Sequence, residues 1–330
     1  MARHQRQPGG VTMNALSIDV EDYFQVSAFA PFIPRADWDT RECRVERNVE
    51  RILELLETSG ARATFFTLGW IAERYPQMVR RIVDGGHELA SHGFGHHRAH
   101  DQAEEAFFAD IDLAKLVLED IAGVEVRGYR APSFSINGDN PWAFDCLCRA
   151  GYKYSSSVYP VRHDHYGMPD APRFAHLVRP ELLEIPVSTV RFGERNWPAG
   201  GGGFFRLLPY AVTRHLLRRI NQTDGQAAIF YLHPWELDVE QPRISGIDGK
   251  TRFRHYLNLH RTEGRLKQLL ADFVWGRVDE VFPIDGEPVV EQWPPLASAP
   301  DAGALLDRSE ILAADAEPVR AAFSAPRARR

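Results

Sequence analysis

Short apolar runs that end in polar or acidic residues alternate with longer stretches in which apolar residues recur every three or four positions. That alternation predicts repeated strand–helix units. Residues 15–20, ALSIDV, form the first expected strand, apolar throughout and ending in acid. In residues 45–59, VERNVERILELLETS, Val49, Ile52, Leu53 and Leu56 share one helical stripe, and Gly60 supplies a stop. ATFFTLG (63–69) predicts the next strand, residues 71–84 a helix, HELASH a third strand, and residues 102–121 a long helix. Further strands are expected at 126–132, 152–158, 182–189 and 227–236, with helices near 140–150, 209–222 and 262–274.

About seven such units with polar strand ends predict an α/β fold whose parallel strands curl into a barrel, rather than an open sheet of two halves. The boundaries read as a disordered leader at 1–13, one domain at 14–286, and an Ala- and Pro-rich tail at 287–330 that is disordered or loosely docked. Met13 stands just ahead of the first strand.

Composition narrows the partners. With 330 residues and 44% apolar content the chain can bury a sizeable core. A net charge of -6 argues against nucleic acid or an anionic membrane as partner. Cys43, Cys146 and Cys148 show no zinc-type spacing and read as buried thiols of a reducing compartment. No apolar run has signal-peptide or membrane-spanning length. The expected location is therefore the cytoplasm, with peripheral contact to the inner membrane as the alternative. Oligomeric state is not legible.

In a parallel β/α barrel, chemistry belongs where strands end. Asp19, Glu21 and Asp22 follow the first strand, His92 and His96 the third, Arg130 the fourth, and His233, with Trp235 and Glu236, the one at 227–236. SHGFGHHRAH holds four of the thirteen histidines. His92 and His96, four apart, can face one ion on a helical turn. His97 and His100 read as surface or supporting residues, and His87 as a packed strand histidine. Three acids among Asp19–Asp22 repel one another unless a cation or proton intervenes. Strand parity places Asp19 and Glu21 on one face, whereas a turn starting at Val20 favours Asp22. A histidine suits proton donation, and Arg130 suits pairing with a carboxylate. Trp197, Phe204, Phe205 and Trp235 are candidates for stacking on sugar rings, with rim packing as the equal alternative. NWPAGGGGFFRLLPY reads as a lid or substrate loop and lacks the GK[ST] ending of a phosphate loop.

On SIDVEDYF, HGFGH, RAP and LHP, in that order, the sequence resembles the NodB-type polysaccharide deacetylases of carbohydrate esterase family 4. SIDVEDYFQV, SHGFGHH, GYRAPSFSI, GGGFFRLLPY, FYLHPWELD and RHYLNLHRTEGRL make it similar, more narrowly, to the branch encoded with exosortase and PEP-CTERM exopolysaccharide loci. The likeness covers roughly residues 15–285. It implies an irregular (β/α)7 barrel, a divalent metal, usually zinc, and an N-acetylated saccharide substrate. It implies His92 and His96 as metal ligands, Asp19 as catalytic base, Arg130 as the arginine orienting it, and His233 as general acid. Glu184 is a weaker candidate as partner of that histidine. Where the family has two adjacent aspartates, Val20 stands second here, so the acidic ligand is Glu21 or Asp22, with Glu21 favoured. Gly93 replaces the usual Ser or Thr. A metal amidohydrolase acting on a small cyclic amide and a non-catalytic glycan binder are the alternative readings.

Overall fold

The structure, a computed structural model, describes residues 11–163, 167–282 and 284. The expected tail at 287–330 and residues 1–10 of the expected leader lie outside them. Met13 is not leader: it opens the first strand.

The strands are β1 (Met13–Val20), β2 (Thr64–Thr67), β3 (Glu88–Ser91), β4 (Gly128–Tyr129), β5 (Tyr154–Ser155), β6 (His176–Arg179), β7 (Leu182–Glu184), β8 (Thr189–Phe192), β9 (Arg195–Pro198), β10 (Ile229–Leu232) and β11 (Val274–Gly276). The helices are α1 (Val45–Ser59), α2 (Gly69–Arg74), α3 (Pro76–Asp84), α4 (Glu104–Ala122), α5 (Trp142–Arg149), α6 (Gly202–Leu207), α7 (Tyr210–Arg219), α8 (Gly249–Tyr256), α9 (Leu259–Asp272) and α10 (Val278–Val281). Among the described residues no helix is long and apolar enough to cross a membrane.

Seven strands run parallel in the order β10-β1-β2-β3-β4-β5-β7. β6 extends that sheet antiparallel to β7, and β11 pairs parallel with the start of β1. The edges β6 and β10 are not joined by a ladder among the described residues; nearby, Ile229 N–H donates to Ser188 Oγ at 2.8 Å. The fold is an α/β barrel of the irregular (β/α)7 kind.

Local chemistry explains where elements depart from expectation. The single helix expected at 71–84 is two, because Pro76 suits a first helical turn but disfavours helix in the residue before it. The strand expected at 182–189 is interrupted at Pro186, which has no N–H for a ladder. Only its last residue, Thr189, falls in a further strand, β8, which pairs with β9 in a separate hairpin. α8 was not expected; the Asp248 carboxylate caps it by accepting the N–H groups of Lys250 and Thr251. α1 follows its pattern, burying Val45, Val49, Ile52 and Leu56 and ending at left-handed Gly60.

Strand side chains alternate between the barrel interior and the helices. Leu16, Ile18, Val20 and Phe65 pack outward in the large core that includes Val49, Ile52 and Leu269. Ala15, Phe66, Ala90, Tyr154, Leu183 and Ile229 pack together as a second cluster, completed by Val278 of α10. Continuing along that same face leads from Ala15 to Ser17 and Asp19, from Ala90 to His92, and from Ile229 to Tyr231 and His233. The parity that builds an apolar floor therefore also delivers the polar residues at the strand ends.

Candidate active site at the strand ends

Asp19 is the last inward residue of β1, and its Oδ1 accepts a hydrogen bond from Arg130 Nη1 at 2.6 Å. Arg130 is fully buried. It also donates from Nη1 to Ser17 Oγ at 2.8 Å, from Nη2 to Ser156 Oγ at 2.9 Å and from Nε to Ser156 O at 3.1 Å. Phe66 packs against the guanidinium, 4.1 Å from ring centre to Cζ. The cation has one charged partner and several neutral ones, so its orientation is fixed and Asp19 is held in place.

Glu21 lies just past β1. Its Oε1 is 2.9 Å from His233 Nε2, and its Oε2 is 3.0 Å from His96 Nε2. Burial would raise the Glu21 carboxyl, but the two imidazoles, His96 foremost, outweigh it and hold it well below the usual carboxylate range. Asp19 Oδ2 is 4.0 Å from His233 Nε2, so both acids face the same imidazole. Asp22 does not join them. Its carboxylate accepts the N–H groups of Tyr23, Arg44 and Val45, and so caps α1. Of the two acids weighed as ligand, the structure brings Glu21 to the site and turns Asp22 away from it.

The HGFGH loop is set by α4. Asp110, which sequence reasoning missed, accepts the N–H groups of Phe94 at 2.9 Å and Gly95 at 3.1 Å. Gly93 has φ +76°, and a Cβ there would lie 2.7 Å from Asp110 Oδ2, which explains the absence of Ser or Thr. His96 itself takes a left-handed φ of 55°, an uncommon backbone state that the packed loop sustains. His92 is buried, with Nδ1 2.7 Å from the Arg130 carbonyl, so Nδ1 carries the proton and Nε2 keeps its lone pair. Burial pushes His92 down to about 4, against the pull of Asp19, and it is neutral at pH 7. The His92 and His96 ring centres are 5.3 Å apart.

These residues fit a divalent ion by their donor chemistry. Glu21 Oε2 is buried and accepts no hydrogen bond, although His96 Nε2 is beside it. His92 has its outer nitrogen engaged and its inner one open. Two imidazoles and a carboxylate suit zinc and its neighbours. Among the described residues no three such side chains already stand in coordinating arrangement.

His233 directly follows β10, with Nδ1 2.8 Å from Glu236 Oε1, and its own N–H donates to the same oxygen at 3.0 Å. Glu236 Oε2 accepts from Arg206 Nε at 2.6 Å. Burial would lower His233, but Glu21 and Glu236 together carry it up to about 10. Burial likewise works against Glu236, and Arg206 with His233 holds it down to about 2. Glu184 is not the partner of His233: its Oε1 accepts the N–H groups of Ser157 and Val158. The H-x-x-E spacing at 233–236 was the available signal, since a Glu in the first turn after an N-cap reaches back to it.

Two further expectations change. Phe205 and Trp235 are buried and cannot stack on a sugar; Trp235 instead stacks between His233 and His255. Trp197 is 53% exposed. The glycine run is no lid: Gly200, Gly201 and Gly202 are buried, and Cβ atoms on them would strike Ile229 O, Tyr231 and the Glu236 carboxylate.

Residues 38–153 match the family described as polysaccharide deacetylase, and residues 156–283 match a domain of unknown function, DUF3473. The chain is similar to a peptidoglycan deacetylase of Helicobacter pylori, 28% identical over 117 residues, covering 34% of this chain and 38% of the relative. It is also similar to a chitooligosaccharide deacetylase of Azorhizobium caulinodans, 38% identical over 82 residues, covering 24% of this chain and 39% of the relative. The matches thus span about two fifths of the length of these curated relatives. Among solved structures, a crystal structure from Mycobacterium smegmatis assigned to the polysaccharide deacetylases aligns with TM-score 0.56 at 22% identity. That alignment covers 85% of this chain and 92% of the other, and shows the shared fold. Asp19 and Glu21 precede the first matched span, His92, His96 and Arg130 lie within it, and His233 lies in the second.

Proposed function

We propose, from the match of residues 38–153 to the polysaccharide deacetylase family, that the chain hydrolyses N-acetyl groups of an amino sugar in a polysaccharide or its precursor, releasing acetate. The observation that carries this reading is the placement of Asp19, fixed by Arg130 at 2.6 Å, across from His233 at 4.0 Å. One group is an anchored carboxylate and the other an imidazole held in its protonated form, which is the division of labour that amide hydrolysis needs. The names of the relatives, acting on peptidoglycan and chitooligosaccharide, support the substrate class.

Asp19 takes a proton from the attacking water, and Arg130 keeps Asp19 aimed. His233 donates a proton to the departing nitrogen. Glu21, His92 and His96 are the residues that would hold a divalent ion, zinc by preference. Such an ion lowers the pKa of bound water and polarises the acetyl carbonyl. Residues 14–286 act as one catalytic domain in this proposal, supported by the pairing of β10, from the second matched span, with β1. Cytoplasmic action on an exopolysaccharide precursor, at the periphery of the inner membrane where that precursor is lipid-linked, belongs to the same proposal.

The test is metal content and acetate release from N-acetylated oligosaccharides, wild type beside His92→Ala/His96→Ala. About one metal per chain, lost together with acetate release in the double variant, is expected. Failure of the wild type to bind zinc or to release acetate from any N-acetylated oligosaccharide would overturn the reading.

A further inference from the structure

The glycine that opens α6, Gly202, and the arginine one turn on act on the same group. A Cβ at Gly202 would lie 2.0–2.3 Å from the Glu236 carboxylate, so a side chain there would displace it. Four residues on, Arg206 donates from Nε to Glu236 Oε2 at 2.6 Å. Positions four apart share a helix face. α6 therefore offers a seat of bare backbone at one position and a guanidinium at the next on that face.

Arg206 is itself anchored. It is 3% exposed, and its Nη1 donates to the main-chain carbonyls of His255 at 2.8 Å and Leu257 at 2.9 Å, at the end of α8. Its Cζ lies 5.3 Å from the centre of the Trp235 ring, whose face stacks on His233. Glu236 is fully buried and spends Oε1 on the side chain and main chain of His233. A buried ion pair costs desolvation that apolar packing would avoid. Here its hydrogen bonds lead to one imidazole that faces the two acids of the site.

Resting on the deacetylase reading above, we propose that Arg206 is the positioning residue of the proton donor: it fixes Glu236, which engages His233 Nδ1 and leaves Nε2–H toward the leaving nitrogen. As the C–N bond breaks, its electron pair stays on nitrogen, which takes the Nε2 proton. The imidazole is left neutral and Glu236 remains a carboxylate. Residues 202–236, within the span matched to a domain of unknown function, thereby supply the donor and its support.

The experiment compares two probes. N-acetylated chitotetraose needs its leaving amine protonated, whereas 4-nitrophenyl acetate expels a stable phenolate that does not. Arg206→Met should lower kcat on chitotetraose about 10–100-fold with KM changed by less than about twofold, and lower turnover of the aryl ester by less than about threefold. Arg206→Lys, which can still bond Glu236, should recover part of the loss, and the same ratio measured for His233→Ala sets its ceiling. Equal loss on both probes, no loss on either, or a change confined to KM would overturn the proposal. Should Arg206→Met fail to fold, Arg206→Gln carries the same comparison. A wild type that releases no acetate from chitotetraose would instead overturn the deacetylase reading itself.

Discussion

Asp19 Oδ1 and Arg130 Nη1 meet at 2.6 Å in a fully buried pair, one from the end of β1 and the other from just past β4. Removing the cation alone leaves the buried Asp19 without its hydrogen-bonded partner. Arg130→Met should therefore lose roughly 3–5 kcal/mol of stability. Adding Asp19→Asn to it should recover part of that loss, as urea unfolding of the two singles and the double will show. A double variant as unstable as the sum of the singles would deny that the pair interacts.

Glu21 and Asp22 are neighbours with opposite environments, and they should separate cleanly. After incubation with zinc, Glu21→Gln should retain far less metal per chain than wild type, while Asp22→Ala should retain it. Asp22→Ala should instead lower stability by about 1–2 kcal/mol, because the first N–H groups of α1 lose their acceptor. Metal analysis and thermal melts on the same preparations decide the matter, and loss of metal in Asp22→Ala with its fold intact would reverse the assignment.

Glu184 gives a pH dependence away from the metal-binding residues. Burial raises its carboxyl to about 7, against the hydrogen bonds it accepts. Its pKa is higher folded than unfolded, so the stability it contributes is complete below the unfolded value of about 4.5 and is lost as pH rises toward 7. Glu184→Gln keeps the acceptor oxygen for Ser157 and Val158 and removes the titration. Between pH 5 and pH 8 the variant should lose on the order of 2–3 kcal/mol less than wild type. Parallel pH profiles of the urea midpoint would contradict this.

Gly93→Ser would restore the residue common at this position in the resembling family, and it should harm this protein. The backbone is left-handed there and the new Cβ meets Asp110 Oδ2. A cost of about 1–3 kcal/mol is expected, together with weaker zinc retention because the loop carries His92 and His96. An unchanged Tm and unchanged metal content would show that Asp110 can move aside.

Much of the architecture was legible because it depends on local pattern. Short apolar runs with polar ends marked β1, β2 and β3, and periods of three to four residues marked α1 and α4. Strand parity favoured Glu21 over Asp22 by placing it on one face with Asp19. The ordered motifs pointed to the residues that the barrel then gathered. Elements whose stability comes from neighbours rather than from their own pattern escaped: β6, the β8–β9 hairpin, α8 and α10 are short and weakly periodic. The sequence alone left Glu21 and Asp22 as alternatives, since parity and turn geometry predicted different residues. The tertiary structure separated them because the start of α1 arrives beside Asp22 with unsatisfied N–H groups. It likewise decided the partner of His233. Glu184 lies on β7, where the N–H groups just past the neighbouring β5 capture its oxygen, whereas Glu236 sits one turn from His233 with Arg206 and a side-chain-free Gly202 closing around it. Alternation sets which face a residue occupies, but which groups meet across that face is set by the packing of segments far apart in the chain.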